Sequence, residues 1–318
     1  MGSEGVPQVD PELAAGLGEG GRVRITPENL AEVQRRDVQV RPRPSVEELR
    51  ADGRFEVEEL RAGDVTLVAG RPAGTAGPLP VLYYMHGGGM VMGNARSVMP
   101  RLLDEWAQPL GLAVVSVEYR LAPQAQYPES QEDCYAGLLA TADRADALGI
   151  DPDRIVLGGK SAGGGLAASL ALLTRDRGGP APIGQLLLCP MLDDRAERHS
   201  AHQMDGIDTV DRTTLRTIWR ATLGDDLYGT ADIPPYAAPG RATDLSALPP
   251  AYLDVGAAEL LRDDTVAYAD ALWRAGGDAE LHVWPGAFHG FDTIVPKAAV
   301  SLDALEARTR WLRRILAR

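Results

Sequence analysis

Two cysteines in 318 residues are too few for a disulfide framework or a zinc site. Cys134 and Cys189 both stand in apolar segments and read as small core residues in a reducing compartment. No run approaches the ~20 consecutive apolar residues that a membrane-spanning helix needs. The N-terminus is acidic and glycine-rich and lacks a basic-then-apolar signal region. Gly2 is in place for myristoylation, but Val6 stands where that signal wants Ser or Thr. A cytoplasmic protein without a membrane partner is therefore expected. Positive charge is also scarce: 32 Lys and Arg against 45 Asp and Glu, a net charge of -13. That balance argues against a nucleic-acid or anionic-membrane partner. Lysine itself is almost missing, with only Lys160 and Lys297. There is no internal repeat and no low-complexity tract. What remains is an ordinary globular mix, 45% hydrophobic and 24% charged, long enough to bury a core and shape a cleft.

The pattern along the chain is that of an α/β protein. Residues 1–20 read as a mobile or lightly structured arm. Thr26 followed by Pro27 predicts a helix over 26–36. Residues 54–60 and 63–70 alternate and predict a hairpin-like pair. Continuous apolar strands follow at 79–85, 113–118, 154–158, 185–189, 251–255 and 280–284. Helical stretches lie between them near 97–109, 130–147, 163–176, 263–275 and 297–316. Such alternation predicts a mostly parallel sheet covered on both faces. Residues 192–247 break the rhythm with a polar stretch that includes an amphipathic segment, Thr213–Leu223, and read as an insertion above the sheet.

Three motifs carry chemistry. Gly159-Lys160-Ser161-Ala162-Gly163 is a G-x-S-x-G that follows a strand and opens a small-residue helix, the setting of a nucleophile elbow. Its letters also end a phosphate-binding loop, but Arg154 stands where that loop needs its first glycine, and 155–158 are strand. His86-Gly87-Gly88-Gly89-Met90 follows the strand VLYYM and can turn backbone N–H groups into a cleft, with Ala162 adding another. His86 itself reads as a structural hydrogen-bonder. His289, in the loop Gly286-Ala287-Phe288-His289-Gly290-Phe291, is the histidine placed for general base. His282 lies within a strand. His199 and His202 are spaced to share a metal but have no third ligand nearby. A catalytic imidazole needs an acid to hold its tautomer; Glu259, Asp263 and Asp264 are the candidates. The order Ser, acid, His is that of α/β-hydrolases.

Together HGGGM (86–90), EYRLAP (118–123), GKSAGGG (159–165), VGAAELLRDD (255–264) and GAFHGF (286–291) resemble the hormone-sensitive-lipase-like branch of the α/β-hydrolase serine esterases. Order and spacing agree from about residue 54 onward. The resemblance implies an α/β-hydrolase fold, with a mostly parallel eight-stranded sheet, helices on both faces and a helical cap. Its parts would be 1–50 as arm and part of the cap, 51–191 and 226–318 as core, and 192–225 as the cap insertion. It implies Ser161 as nucleophile, His289 as base, Glu259 as acid, and Gly88, Gly89 and Ala162 as the oxyanion hole. Three residues depart from the branch: Glu259 replaces the commoner Asp, Lys160 precedes the serine, and Gln124 follows YRLAP. Glu259 directly follows the turn after the strand AYLDV, whereas Asp263 suits the start of the next helix.

The expected activity is serine carboxylesterase action on short- to medium-chain esters through an acyl-enzyme, with no metal or organic cofactor. Met90, Val91, Met92, Met191, Leu192, Met204 and Trp219 are the expected pocket walls. A small-molecule ester is the expected partner, and a homodimer is allowed for. Acyl transfer, amide cleavage or dehydration could run on the same scaffold, as could a non-catalytic small-molecule receptor. Lys160, alternating with Ser161, should face away from the cleft and pair with Asp133 or Glu132.

Overall fold

The computed structural model describes residues 5–17 and 24–318. Eight strands form one sheet: β1 Phe55–Ala62, β2 Val65–Pro72, β3 Leu79–Met85, β4 Ala113–Glu118, β5 Ile150–Lys160, β6 Gly184–Leu188, β7 Ala251–Gly256 and β8 Ala279–Trp284. Their order is β1-β2-β4-β3-β5-β6-β7-β8. β1 and β2 form the expected hairpin, closed at Gly63-Asp64, and β2 also runs antiparallel to β4. Every other pairing is parallel. The fold is an α/β-hydrolase sheet.

Why the strands read as unbroken apolar runs is visible in β3. All seven residues are buried because alternate side chains enter two cores, Val81, Tyr83 and Met85 on one face, Leu82 and Tyr84 on the other. Helices cover both faces. The Ala162–Arg177 and Glu129–Asp143 helices pack on the first face, and the Ala95–Leu102 and Ala299–Leu316 helices on the second. The chain leaves β3 for β4 on one side, then crosses back to β5 on the other. Such a reversal opens a crevice at the carboxyl ends of β3 and β5.

Two N-terminal expectations are corrected. Residues 5–17 are not a loose arm. Pro11–Leu17 is helical, Asp10 N–H bonds the Gly286 carbonyl at 2.9 Å, and Leu13 is buried against Phe288 and Phe291. Residues 1–4 and 18–20 of that arm lie outside the described residues. The helix expected from Thr26 starts instead at Leu30 and runs to Val40. The Asn29 side chain accepts the Thr26 N–H at 2.8 Å and closes a separate turn there.

Between β6 and β7 the chain makes a long excursion above the carboxyl ends of the strands, with helices at His199–Gln203 and Arg212–Leu223. Asp211 caps the second by accepting the Thr214 N–H at 2.6 Å. The N-terminal segment crosses it, Ile25 N–H donating to Thr214 Oγ1 at 2.8 Å. Gln34 Nε2 reaches the Val91 and Ala122 carbonyls at 2.7 and 2.8 Å, tying this segment to the loops after β3 and β4. Among the described residues no helix is long and apolar enough to cross a membrane.

Candidate active site

Ser161 sits between β5 and the Ala162–Arg177 helix with φ 57° and ψ −121°. A non-glycine residue held there stores roughly 1–3 kcal/mol of strain, which its surroundings must over-determine. They do: Ser161 N–H donates to Leu188 O at 2.8 Å, and its carbonyl accepts Met191 and Gly165 N–H at 3.0 and 3.1 Å. The flanking glycines are required by contact. A Cβ at Gly159 would lie 2.1 Å from Gly163 O, and one at Gly163 would lie 2.0 Å from Met85 O. The turn therefore thrusts Ser161 out at the start of a helix.

The structure brings three of the expected residues into line. Ser161 Oγ is 3.0 Å from His289 Nε2, and His289 Nδ1 is 2.9 Å from Glu259 Oε1. With Nδ1–H donating to Glu259, Nε2 is left to accept the serine hydroxyl. Glu259 is fully buried, and its other oxygen accepts Gly256 N–H at 2.9 Å. Burial works against the imidazolium, and the Cys189 sulfur and Glu259 carboxylate beside the ring act in the opposite sense and raise the His289 pKa. Asp263 and Asp264 are elsewhere: Asp263 accepts Ser200 N–H at 2.8 Å, and Asp264 pairs with Arg198 at 2.7 Å.

Gly88 and Gly89 have φ of 123° and 66°, and a Cβ at Gly88 would come within 2.2 Å of Met92 O. Among the described residues no hydrogen bond engages the N–H groups of Gly88, Gly89 or Ala162. Gly88 and Gly89 line the same cavity as Ser161, and Ala162 directly follows it in the chain. His86 is buried behind them, donating from Nδ1 to Gly87 O at 2.9 Å and stacking on Tyr119 with ring centroids 4.2 Å apart. Burial lowers its pKa to about 4, so it stays neutral.

A cavity of about 610 Å³ opens at Ser161 and His289. Of the expected walls, Met92 and Met191 line it. Met90, Val91, Leu192, Met204 and Trp219 do not; they pack into the core. The Arg212–Leu223 helix presents Thr214, Leu215 and Ile218 to the cavity, and Trp219, one residue on, turns ~100° away. Amphipathicity was legible there, but not which part of the apolar face meets the cavity. Ile25 and Pro42 of the N-terminal segment also line it, and no local motif marks them.

Lys160 departs from expectation twice: it does not turn wholly away from the cleft but lines the cavity beside Ser161, and its partner is not one of the expected acids. Its ammonium pairs with Asp292 and bonds Thr293 Oγ1 at 2.5 Å. Asp133 instead binds Arg120 at 2.8 Å, and Glu132 binds Arg177 at 2.6 Å. Those acids sit on the Glu129–Asp143 helix, on the opposite face of the sheet. Gln124 is exposed and reaches Gln34 at 3.4 Å. Among the described residues His199 and His202 join no metal-capable cluster, and His202 pairs with Glu197 at 3.2 Å. The cluster with ligand spacing is Cys189, Glu259 and His289, whose Glu and His are already bonded to each other.

A residue that sequence reasoning missed is Asp208. It lies in the excursion, is buried, and bonds the backbone of the His289 and Glu259 loops.

Residues 82–293 match the family model described as the alpha/beta hydrolase fold. The chain is similar to the carboxylesterase NlhH of Mycobacterium tuberculosis, 39% identical over 228 residues, covering 70% of this chain and 70% of that protein. It is similar to the esterase LipI of the same organism, 38% identical over 235 residues, covering 73% and 71%. Among solved structures, a bacterial heroin esterase superimposes with a TM-score of 0.87 at 38% identity, over 97% of this chain and 98% of that one. The esterase LipW from Mycobacterium marinum does so with a TM-score of 0.86 at 31% identity, over 98% and 97%.

Proposed function

This chain belongs to the α/β-hydrolase fold family, in its hormone-sensitive-lipase-like branch, and is a carboxylic ester hydrolase; from that premise we propose that it cleaves short- to medium-chain esters through an acyl-enzyme on Ser161. The observation that carries this reading is the hydrogen-bonded line from Ser161 Oγ through His289 to Glu259, at 3.0 and 2.9 Å.

In this reading His289 Nε2 takes the Ser161 proton as Oγ attacks the ester carbonyl. Glu259 stabilises the imidazolium that forms. The tetrahedral oxyanion rests on the N–H groups of Gly88, Gly89 and Ala162, the last at a helix N-terminus where negative charge is favoured. The C–O bond then breaks, and the alkoxide leaves with the proton from Nε2. Water, deprotonated by the same nitrogen, attacks the acyl-enzyme and releases the acid and Ser161.

The N-terminal segment and the 192–225 insertion serve as a cap over this centre. A cavity of about 610 Å³ favours acyl chains up to about eight carbons. Two buried free thiols, Cys134 and Cys189, fit a cytoplasmic setting. The net charge of -13 speaks against nucleic acid as a partner. β8 ends the sheet, and a homodimer would have that edge available.

The test is hydrolysis of p-nitrophenyl esters from acetate to palmitate by the wild type and Ser161→Ala. Best rates on the shorter chains, abolished in Ser161→Ala, are expected. A preference for palmitate refutes the chain-length reading, and wild-type rates in Ser161→Ala refute the acyl-enzyme.

A further inference from the structure

We infer that Asp208 and Thr209 are positioning residues for the esterase reaction, holding the histidine by its backbone from the excursion between β6 and β7. The inference rests on the reading of His289 as the base. Asp208 Oδ1 accepts His289 N–H at 2.9 Å and Thr209 N–H at 2.7 Å. Thr209 Oγ1 donates to the His289 carbonyl at 2.7 Å. Two consecutive residues thus occupy both backbone polar groups of the histidine. The second Asp208 oxygen, Oδ2, accepts Leu260 N–H at 3.2 Å, directly after Glu259. One carboxylate therefore ties together the loop that carries the base, the loop that carries its acid, and the excursion.

The arrangement is costly as a structural device. Asp208 is 3% exposed, and among the described residues it forms no ion pair with Lys or Arg. A buried carboxylate compensated by N–H groups and the Thr209 hydroxyl, at 3.3 Å, but by no cation is unfavourable, and here a second carboxylate, Glu259, is close by. Burial first, then the Glu259 charge, pushes the Asp208 pKa up to about 7. One species gains from two carboxylates at this place: the His289 imidazolium that exists while the proton of Ser161 is in transit. The titratable groups facing the imidazole are Glu259 after β7, Cys189 after β6 and Asp208 from the excursion.

A positional role and a purely structural one separate by experiment. Full-length Asp208→Asn, Thr209→Val, Thr209→Ser and Ser161→Ala are compared with the wild type on p-nitrophenyl acetate, with folding checked by circular dichroism and thermal melting. In Asp208→Asn, kcat should fall by about tenfold or more while KM changes by less than about threefold. Losing one negative charge beside His289 should move the acid limb of kcat/KM to lower pH by about one unit. Thr209→Val should lower kcat, and Thr209→Ser should restore it. Folded Asp208→Asn with wild-type kcat, or with reduced kcat and an unmoved acid limb, overturns the role. If Asp208→Asn does not fold, equal kcat in Thr209→Val and Thr209→Ser overturns it. Loss of activity in Ser161→Ala alongside wild-type Asp208→Asn overturns the positioning role alone. Wild-type activity in Ser161→Ala overturns the underlying reading, and the positioning role with it.

Discussion

Lys160 and Asp292 form an ion pair that joins the residue before Ser161 to the segment just after His289. Asp292 is shared: Arg308 Nη1 lies 2.5 Å from it and Arg101 Nη2 3.3 Å. Arg308 in turn binds Asp254 of β7 at 2.6 Å. The nucleophile strand, the histidine loop, β7 and the Ala299–Leu316 helix are thus linked by one charge network whose centre, Asp292, Arg308 and Asp254, is buried.

Lys160 therefore has a structural task in the proposed mechanism. Lys160→Met should keep turnover of p-nitrophenyl acetate within about tenfold, far from the losses of ~10⁴ or more on removing a triad member. It should lower Tm, because Asp292 loses one of its three cations. Turnover as low as that of Ser161→Ala, in a folded protein, would place Lys160 in the catalytic machinery.

Asp292 is the more damaging position. Burial alone would lift its pKa, but Lys160, Arg308 and Arg101 hold it well below the usual carboxylate range. Asp292→Asn leaves the buried Arg308 short of an anion and should cost about 3–5 kcal/mol in chemical denaturation at pH 7. The folded pKa is depressed, so this stabilisation is complete above the unfolded value of ~3.9 and is lost as pH falls through the folded value. The gap between wild type and variant should narrow below pH ~4. A gap independent of pH would show that the charge is not its source.

The acid is tested by a pair of variants. Glu259→Gln keeps the shape but removes the charge opposite His289 Nδ1, and should lower kcat by about 100-fold or more. Asp263→Asn should stay near wild type, since Asp263 serves Ser200 N–H and Arg262. The reverse result would reassign the acid.

Ile218 sets the roof of the cavity. A Cβ placed on Gly89 would lie 2.6 Å from Ile218 Cδ1, so this side chain sits directly over the proposed oxyanion loop. Ile218→Ala should raise kcat/KM for decanoate relative to acetate esters by about 3–10-fold. Trp219→Phe, altered in the core beside it, should leave the chain-length profile unchanged. Identical profiles in all three proteins would remove Ile218 from the site.

What the sequence determined alone was what depends on neighbours along the chain. Leu79–Met85 and Ala113–Glu118 are strands with the bounds their apolar runs predict. The elbow was legible because its tight turn demands glycine at 159 and 163, whatever lies around it. The HGGG loop was legible for the same reason. Tertiary structure decided the rest, since each remaining choice was a contact across more than one element. Both Asp133 and Asp292 are acids, but only the latter lies on the face toward which β5 turns Lys160. Trp219 and Ile218 share one amphipathic stretch, and packing against the N-terminal segment and the loop after β3 set its rotation. Asp208 sits in a polar stretch with no motif, 81 positions before His289. No local pattern marks it, because its hydrogen bonds go to backbone groups, which every residue carries.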